Sequence, residues 1–297
     1  MYPGLRRVGP PRRSTTEETL SQYQPAAVTG WRIRLRYTKR ERLRFASHRD
    51  LTRVFERALR RAGVPLAYSR GYSPHPRISW AGTAPTGVAS EAEYAELCLE
   101  REVTVETLRS ELRAALPEGL DVAEAVPAGA GSLEERLLAS RWWLELDGVA
   151  PGETREALRR LLSRDSVEVE RVTRKGRRVL DARSAVVSAR SVDPTEYGVQ
   201  PDAVRDCHSV DAPHTDDCPD RARQYGIIVM VVRHTTPVVR PDDVLNALRV
   251  VADLPVPGVA RATRLAQGRL DEGGAIADPL AQDRAAAGSR QVDSTLG

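Results

Sequence analysis

The sequence predicts an α+β protein made of two similar modules in tandem, each an antiparallel sheet with helices packed on one face. Two observations lead there. Segments with apolar residues at every second position alternate with segments whose apolar residues recur at helical spacing. Their order is β-α-β-β-α-β over residues 31–128, and the same plan returns over 140–270. That order is the one found in the ferredoxin-like sandwich. At 297 residues and 41% hydrophobic content the chain can bury two cores and is too apolar for wholesale disorder.

Residues 1–30 carry prolines, arginines, serines and threonines without an apolar run, so they read as a flexible tail and not as a secretory signal. From Trp31 the run Arg32 to Tyr37 alternates basic with apolar side chains, the pattern of a half-buried strand, and it is expected to continue through Arg42 to Phe45. Ser47 with Asp50 three residues on forms a capping box in its aspartate form. The helix it opens has Leu51, Val54, Phe55, Ala58, Leu59 and Ala62 on one stripe, and Gly63 stops it. A strand over 65–70, a loop over 71–90, a strand over 93–100, a helix over 105–116 and a strand over 120–126 complete the first module.

The second module opens with a strand over 141–146 and a helix over 153–163. Strands over 166–173 and 178–187 flank the turn Arg174-Lys175-Gly176-Arg177, one strand more than the plan requires. A strand over 225–232, a helix over 241–252 with Pro241 in its first turn, and a strand near 259–266 follow. Between them, residues 191–224 are polar, interrupted by prolines and without periodicity, which marks a long loop. Residues 271–297 are rich in Ala, Gly, Asp and Gln and read as a disordered tail.

Three cysteines, Cys98, Cys207 and Cys218, are too few and too scattered for a disulfide framework, which fits a reducing cytoplasm. The longest apolar run, Ile227 to Val232, falls far short of the roughly 20 residues a membrane span needs. A pI near 9.1 points toward an acidic partner, nucleic acid above all. The charge excess is nonetheless modest, with 45 basic residues against 41 acidic ones. Only Lys39 and Lys175 are lysines, a bias that a GC-rich genome produces as readily as selection for guanidinium. No Gly-rich phosphate loop, Gly-x-Ser-x-Gly elbow or His-Glu-x-x-His helix is present, which removes the common enzyme classes.

His48 and His75 are the candidate catalytic pair. His48 opens the first helix, where the dipole disfavours imidazolium and leaves a neutral ring able to accept a proton. His75 sits between Pro74 and Pro76, which stiffen its loop. If the second strand is 65–70, the loop after it and the first strand-to-helix junction share one end of the sheet, bringing both histidines to one edge. The alternative is that His48 only completes the cap and His75 is a turn residue packed on Tyr72. Arg49, Arg53, Arg57, Arg70 and Arg77, with Lys175 and Arg177 of the later turn, are the candidate nucleic-acid contacts. Ferredoxin-like sheets also bind single-stranded RNA by stacking bases on exposed aromatics, and Tyr37, Tyr94, Trp142 and Trp143 lie on strands here. His234, at the end of a strand, either extends a polar site or makes a turn. Cys207, His208, His214 and Cys218 are weak metal candidates. They lack a Cys-x-x-Cys or His-x3-His pair, so no metal or other cofactor is expected.

The stretch from Leu43 to Leu97 resembles the signature of the radical-SAM-linked bacterial family, in its stand-alone form. Ser47, His48 and Asp50 match its helix start, Gly71, Tyr72, Pro74, His75 and Pro76 its Pro-His-Pro loop, and Pro85, Gly87, Val88, Ser90, Glu91, Glu93 and Tyr94 its next segment. Asp181 and Arg183 resemble a later motif, with Ser184 where proline is expected. Members of that family occur fused to a radical-SAM enzyme or alone, often encoded beside ribonuclease E/G-type genes. The resemblance therefore implies a radical-SAM or ribonuclease E/G-type partner and an RNA context. The chain has no Cys-x3-Cys-x2-Cys run to hold the radical-SAM cluster itself. The expectation is an RNA-associated accessory protein with no activity of its own. The alternatives are an RNA-processing or metal-dependent enzyme using His48 and His75, or a protein–protein adaptor.

Overall fold

The computed structural model describes residues 31–173, 176–192, 225–255 and 260–295. In the first module β1 (Trp31–Lys39) turns Ile33, Leu35 and Tyr37 to one face, where α1 (His48–Arg61) and α2 (Val105–Ala115) bury them. Phe55 and Leu59 of α1 are fully buried in return, each contributing roughly 1.5–3 kcal/mol by leaving water. β2 (Ile78–Ala81), β3 (Ala89–Leu99) and β4 (Leu120–Pro127) complete an antiparallel sheet ordered β4-β1-β3-β2.

The second module repeats that order. Its strands β5 (Ala139–Asp147), β8 (Val186–Val192), β9 (Tyr225–Arg233) and β10 (Arg261–Gly268) run β10-β5-β9-β8, all antiparallel. α3 (Pro151–Leu162) and α5 (Pro241–Ala252) pack over one core with Leu144, Leu146, Ile228 and Met230. Both modules thus have the strand order of a ferredoxin-like fold. They are fused: Thr263 and Arg264 of β10 pair in parallel with Ala89 and Ser90 of β3, making one eight-stranded sheet.

Several expectations are corrected. β1 stops at Lys39, and residues 42–45 belong to a 3-10 turn (Glu41–Phe45) that starts with Glu41 at positive φ. The second strand is not 65–70. Residues 65–67 join the edge of β3 through Ala67 N–H to the Cys98 carbonyl, and the chain then leaves in an excursion that returns at Arg77. Only beyond it does β2 form, because Pro74 and Pro76 offer no N–H to a ladder.

In the second module the extra chain is a hairpin, β6 (Glu168–Thr173) with β7 (Gly176–Asp181), in a sheet of its own. A strand over 178–187 is ruled out by Asp181, which caps the short α4 (Ala182–Ala185) through the Arg183 and Ser184 amides. Residues 271–297 are not a plain tail either: they include α6 (Ala281–Thr295).

α6 matters to the first module, whose second face it closes. Leu280 and Leu133 pack on Tyr94 and Val126. Asp283 receives Arg34 Nη1 at 2.8 Å, Arg136 Nη1 at 2.7 Å and the Gly129 amide at 2.8 Å, and Arg34 Nε reaches Glu96 at 2.8 Å. Burial alone would raise the Asp283 carboxyl; the hydrogen bonds from Arg34, Arg136 and Gly129 overcome that and hold it below its ordinary value. No helix among the described residues is long and apolar enough to cross a membrane.

Candidate functional site

Two regions gather chemistry-bearing side chains. The first is the outer face of α1. Ser47 accepts the Asp50 amide at 3.3 Å and donates its hydroxyl to Asp50 Oδ2 at 2.6 Å, the expected capping box. Those hydrogen bonds hold the Asp50 carboxyl below its ordinary value. At 100° per residue Arg49, Arg53, Arg57 and Arg60 fall within about 80° of one another. All four are exposed, and none has an ion-pair partner among the described residues. Arg44 and the exposed Phe45, stacked at 4.7 Å, extend this surface past the helix start. Arg70 and Arg77 are exposed at the 68–76 excursion, with no ion-pair partner among the described residues.

The two histidines are not brought to one edge. His48 opens α1, beyond the C-terminal end of β1, with its ring edge-on to Trp80 at 5.9 Å. His75 precedes β2 and lies on the excursion that leaves the sheet beside Cys98, near where β1 begins. Its backbone alone is tied down, to Ser69, and no ring contact or hydrogen bond joins it to His48. Nor does it pack on Tyr72, whose 105% exposure leaves that ring against nothing. Arg177 is exposed and 3.5 Å from Glu170, while Lys175, Cys207, His208, His214 and Cys218 lie outside the described residues. Among the described residues no group of His, Cys, Asp or Glu is placed to hold a metal.

Tyr37, Tyr94, Trp142 and Trp143 are all buried, so none offers a stacking platform. Gly71, Pro74 and Pro76 shape the excursion. Asp181 takes the Val167 amide at 3.0 Å, and Arg183 donates to the carbonyls of Val186 and Leu162. These motif residues build the fold.

The second region is the seam between modules, and Glu93 leads to it. Its Oε2 accepts the Ala84 amide at 2.9 Å, and its Oε1 is 3.5 Å from Arg264 Nη2. Lys39, fully buried, donates to the Pro85 carbonyl at 3.2 Å. Burial pushes the Lys39 amine down, with Glu93 opposing. Gly82, at φ +58°, delivers its carbonyl to both Arg264 and Gln267; a Cβ there would meet Gln267 Oε1 at 2.5 Å.

A cavity of about 280 Å³ opens beside this cluster, lined among others by Thr83, Ser140, Trp142, His234, Arg240 and Arg264. His234 donates from Nδ1 to the Leu137 carbonyl at 2.7 Å, so its Nε2 accepts the Ser140 hydroxyl at 2.7 Å. Burial keeps the His234 ring below its ordinary pKa. Ser140 is fully screened, which makes the pair a means of fixing the ring and not an exposed nucleophile.

A family model described as an uncharacterized protein conserved in bacteria (DUF2344) matches residues 32–241. The chain belongs to that family. The match takes in β1 through β9 of this DUF2344 protein and stops at the start of α5, so Arg264 and Asp283 lie beyond it. A search of the curated proteins returns no match. Among solved structures, the first two RRM domains of the yeast poly(U)-binding protein Pub1 are returned at 10% identity. The alignment covers 78% of this chain and 98% of that one, with a TM-score of 0.17. At that overlap the fold of the DUF2344 chain rests on its own strand order.

Sequence reasoning found α1 but missed the seam. Lys39 and Arg264 carried a signal only in hindsight of pairing: each is a cation at an inward position of a strand, which costs heavily unless a partner waits there.

Proposed function

We propose that this protein is an RNA-associated accessory protein that holds an RNA backbone on the basic outer face of α1. It acts with an RNA-modifying radical-SAM enzyme or a ribonuclease E/G-type enzyme, and it is cytoplasmic. The observation that carries the reading is the run of unpaired, exposed arginines on one helix face, with Arg70 and Arg77 at the excursion as further contacts. Unpaired guanidiniums on a rigid element hold phosphates at little cost, because no existing ion pair must be broken first. Burial of Tyr37, Tyr94, Trp142 and Trp143 takes these four strand aromatics out of base stacking and favours backbone contact. The named partners follow from the resemblance alone. The distance in the fold between His48 and His75 weighs against their acting as an acid–base couple.

The test is binding of the full-length protein to total cellular RNA at low and physiological salt. Affinity should fall with salt, and replacing Arg49, Arg53 and Arg57 with alanine should lower the salt slope by about 2, as expected for three lost single-strand contacts. Replacing His48 and His75 together should leave binding intact. Absence of binding at low salt, or binding indifferent to the three arginines, would sink the proposal. RNA turnover lost with the two histidines would replace it with the enzyme reading.

A further inference from the structure

Where the modules meet, buried charge does not balance. Among the described residues Lys39, Arg264 and Glu93 are buried together there, two cations against one carboxylate. Among the described residues the Lys39 amine donates only to a carbonyl, and both Arg264 Nε and Glu93 Oε1 are buried without a hydrogen-bond partner. An uncompensated cation in such surroundings is costly, and an anion close by relieves it. Arg264 also lines the seam cavity, stacked over the Trp142 ring at 5.1 Å, and among the described residues no carboxylate shares that wall.

Two further features face the same space. α5 is 12 residues long and starts there, with Arg240 and Pro241 on the cavity wall. The Asp243 carboxylate already caps that end, accepting the Arg240 amide at 2.6 Å while pairing with Arg171, so what the helix start brings to the cavity is the Arg240 side chain. Thr83, on the opposing loop, adds a hydroxyl.

We propose that the seam cavity is a binding site for a phosphate monoester. Donors on three separate elements, Arg264 of β10, Arg240 before α5 and Thr83 of the loop, suit three terminal oxygens better than the two of a planar carboxylate. The apolar part of the wall, Trp142, Val239 and Pro241, leaves room for a few carbons, and about 280 Å³ is too little for a whole nucleotide. The phosphate belongs to a small sugar-phosphate-sized molecule or to the end of an RNA chain. The site is separate from the α1 face and stands whether or not that face binds RNA.

Calorimetric titration of the full-length protein with inorganic phosphate tests this directly. Saturable binding is expected, with Kd in the millimolar range or tighter, and acetate should not compete. Arg240 is exposed, so Arg240→Gln should spare the fold while weakening phosphate at least tenfold; Thr83→Val should weaken it less. Arg264→Gln removes a buried partner of Glu93, so its fold must first be checked by circular dichroism; if folded, it too should lose phosphate. Ribose 5-phosphate and a 5′-phosphorylated RNA trinucleotide then distinguish the two sources, the tighter of them naming which one is held. Replacing Arg49, Arg53 and Arg57 should leave phosphate affinity unchanged, which separates this result from that for RNA. No saturable phosphate binding, equal uptake of acetate, or binding unaffected by both Arg240→Gln and Thr83→Val overturns the proposal.

Discussion

The two modules share a strand order and differ in what they do with arginine. On α1 the outward arginines stand free, whereas on α3 Arg159 and Arg160 are both drawn to Glu156 at 2.7 and 2.8 Å. Those two bonds hold the Glu156 carboxyl down to about 2. The helices also start differently: α1 has a serine cap, while α3 has Pro151 at its first position and no side-chain oxygen before it. Duplicated architecture thus leaves one helix with two of its three arginines neutralised and the other available to an anion. Being ferredoxin-like does not confer function; the site does.

The sheet faces differ as well, and there the largest effect is expected. The first module's second face is locked by Asp283 between Arg34 and Arg136. Asp283→Ala strands two buried guanidiniums and should cost about 3–5 kcal/mol in urea unfolding. A loss below 1 kcal/mol would show the lock to be dispensable. Next comes the helix contrast itself. Reversing Arg49, Arg53 and Arg57 to glutamate should abolish RNA retention at physiological salt. The same change at Arg155, Arg159 and Arg160 should alter it less than twofold, and equal losses would erase the distinction between the helices.

Acid should then pick out the lock. The folded Asp283 carboxyl lies below its unfolded value, so its contribution is fully present above the ordinary carboxylate range and is lost as pH falls through the folded pKa. Stability measured downward from pH 5 should drop more steeply in the wild type than in Asp283→Asn. The smallest effect is the cap: Ser47→Ala should cost about 1 kcal/mol, read from the shift in denaturation midpoint.

Element order was legible in the sequence because periodicity is a local property. The alternation at Ile33, Leu35 and Tyr37 and the stripe from Leu51 to Leu59 each declare themselves within a dozen residues. β2 was misplaced because it has only four residues and follows a proline-rich excursion that mimics a loop. α6 was missed for a different reason. Its Ala- and Gly-rich composition looks disordered, and what docks it is one aspartate whose partners sit 249 and 147 residues away. The seam was invisible on the same ground, since Lys39, Glu93 and Arg264 meet only after both modules have formed. The arginine face of α1, by contrast, is local and could be read directly.

The bond between Arg34 and Asp283 also sets a timetable. A chain growing from its N-terminus makes β1 early and can pair Arg34 with Glu96, yet the second carboxylate that Arg34 shares with Arg136 is synthesised 249 residues after Arg34. Until then the first module can assemble its helices but must keep one side of its sheet wet, with the carboxylate that joins Arg34 to Arg136 still missing. The oldest strand of the protein is finished last. A ribosome stalled between β4 and α6 would therefore present a half-closed module to the cell's proteases, and docking of α6 is the event that seals it.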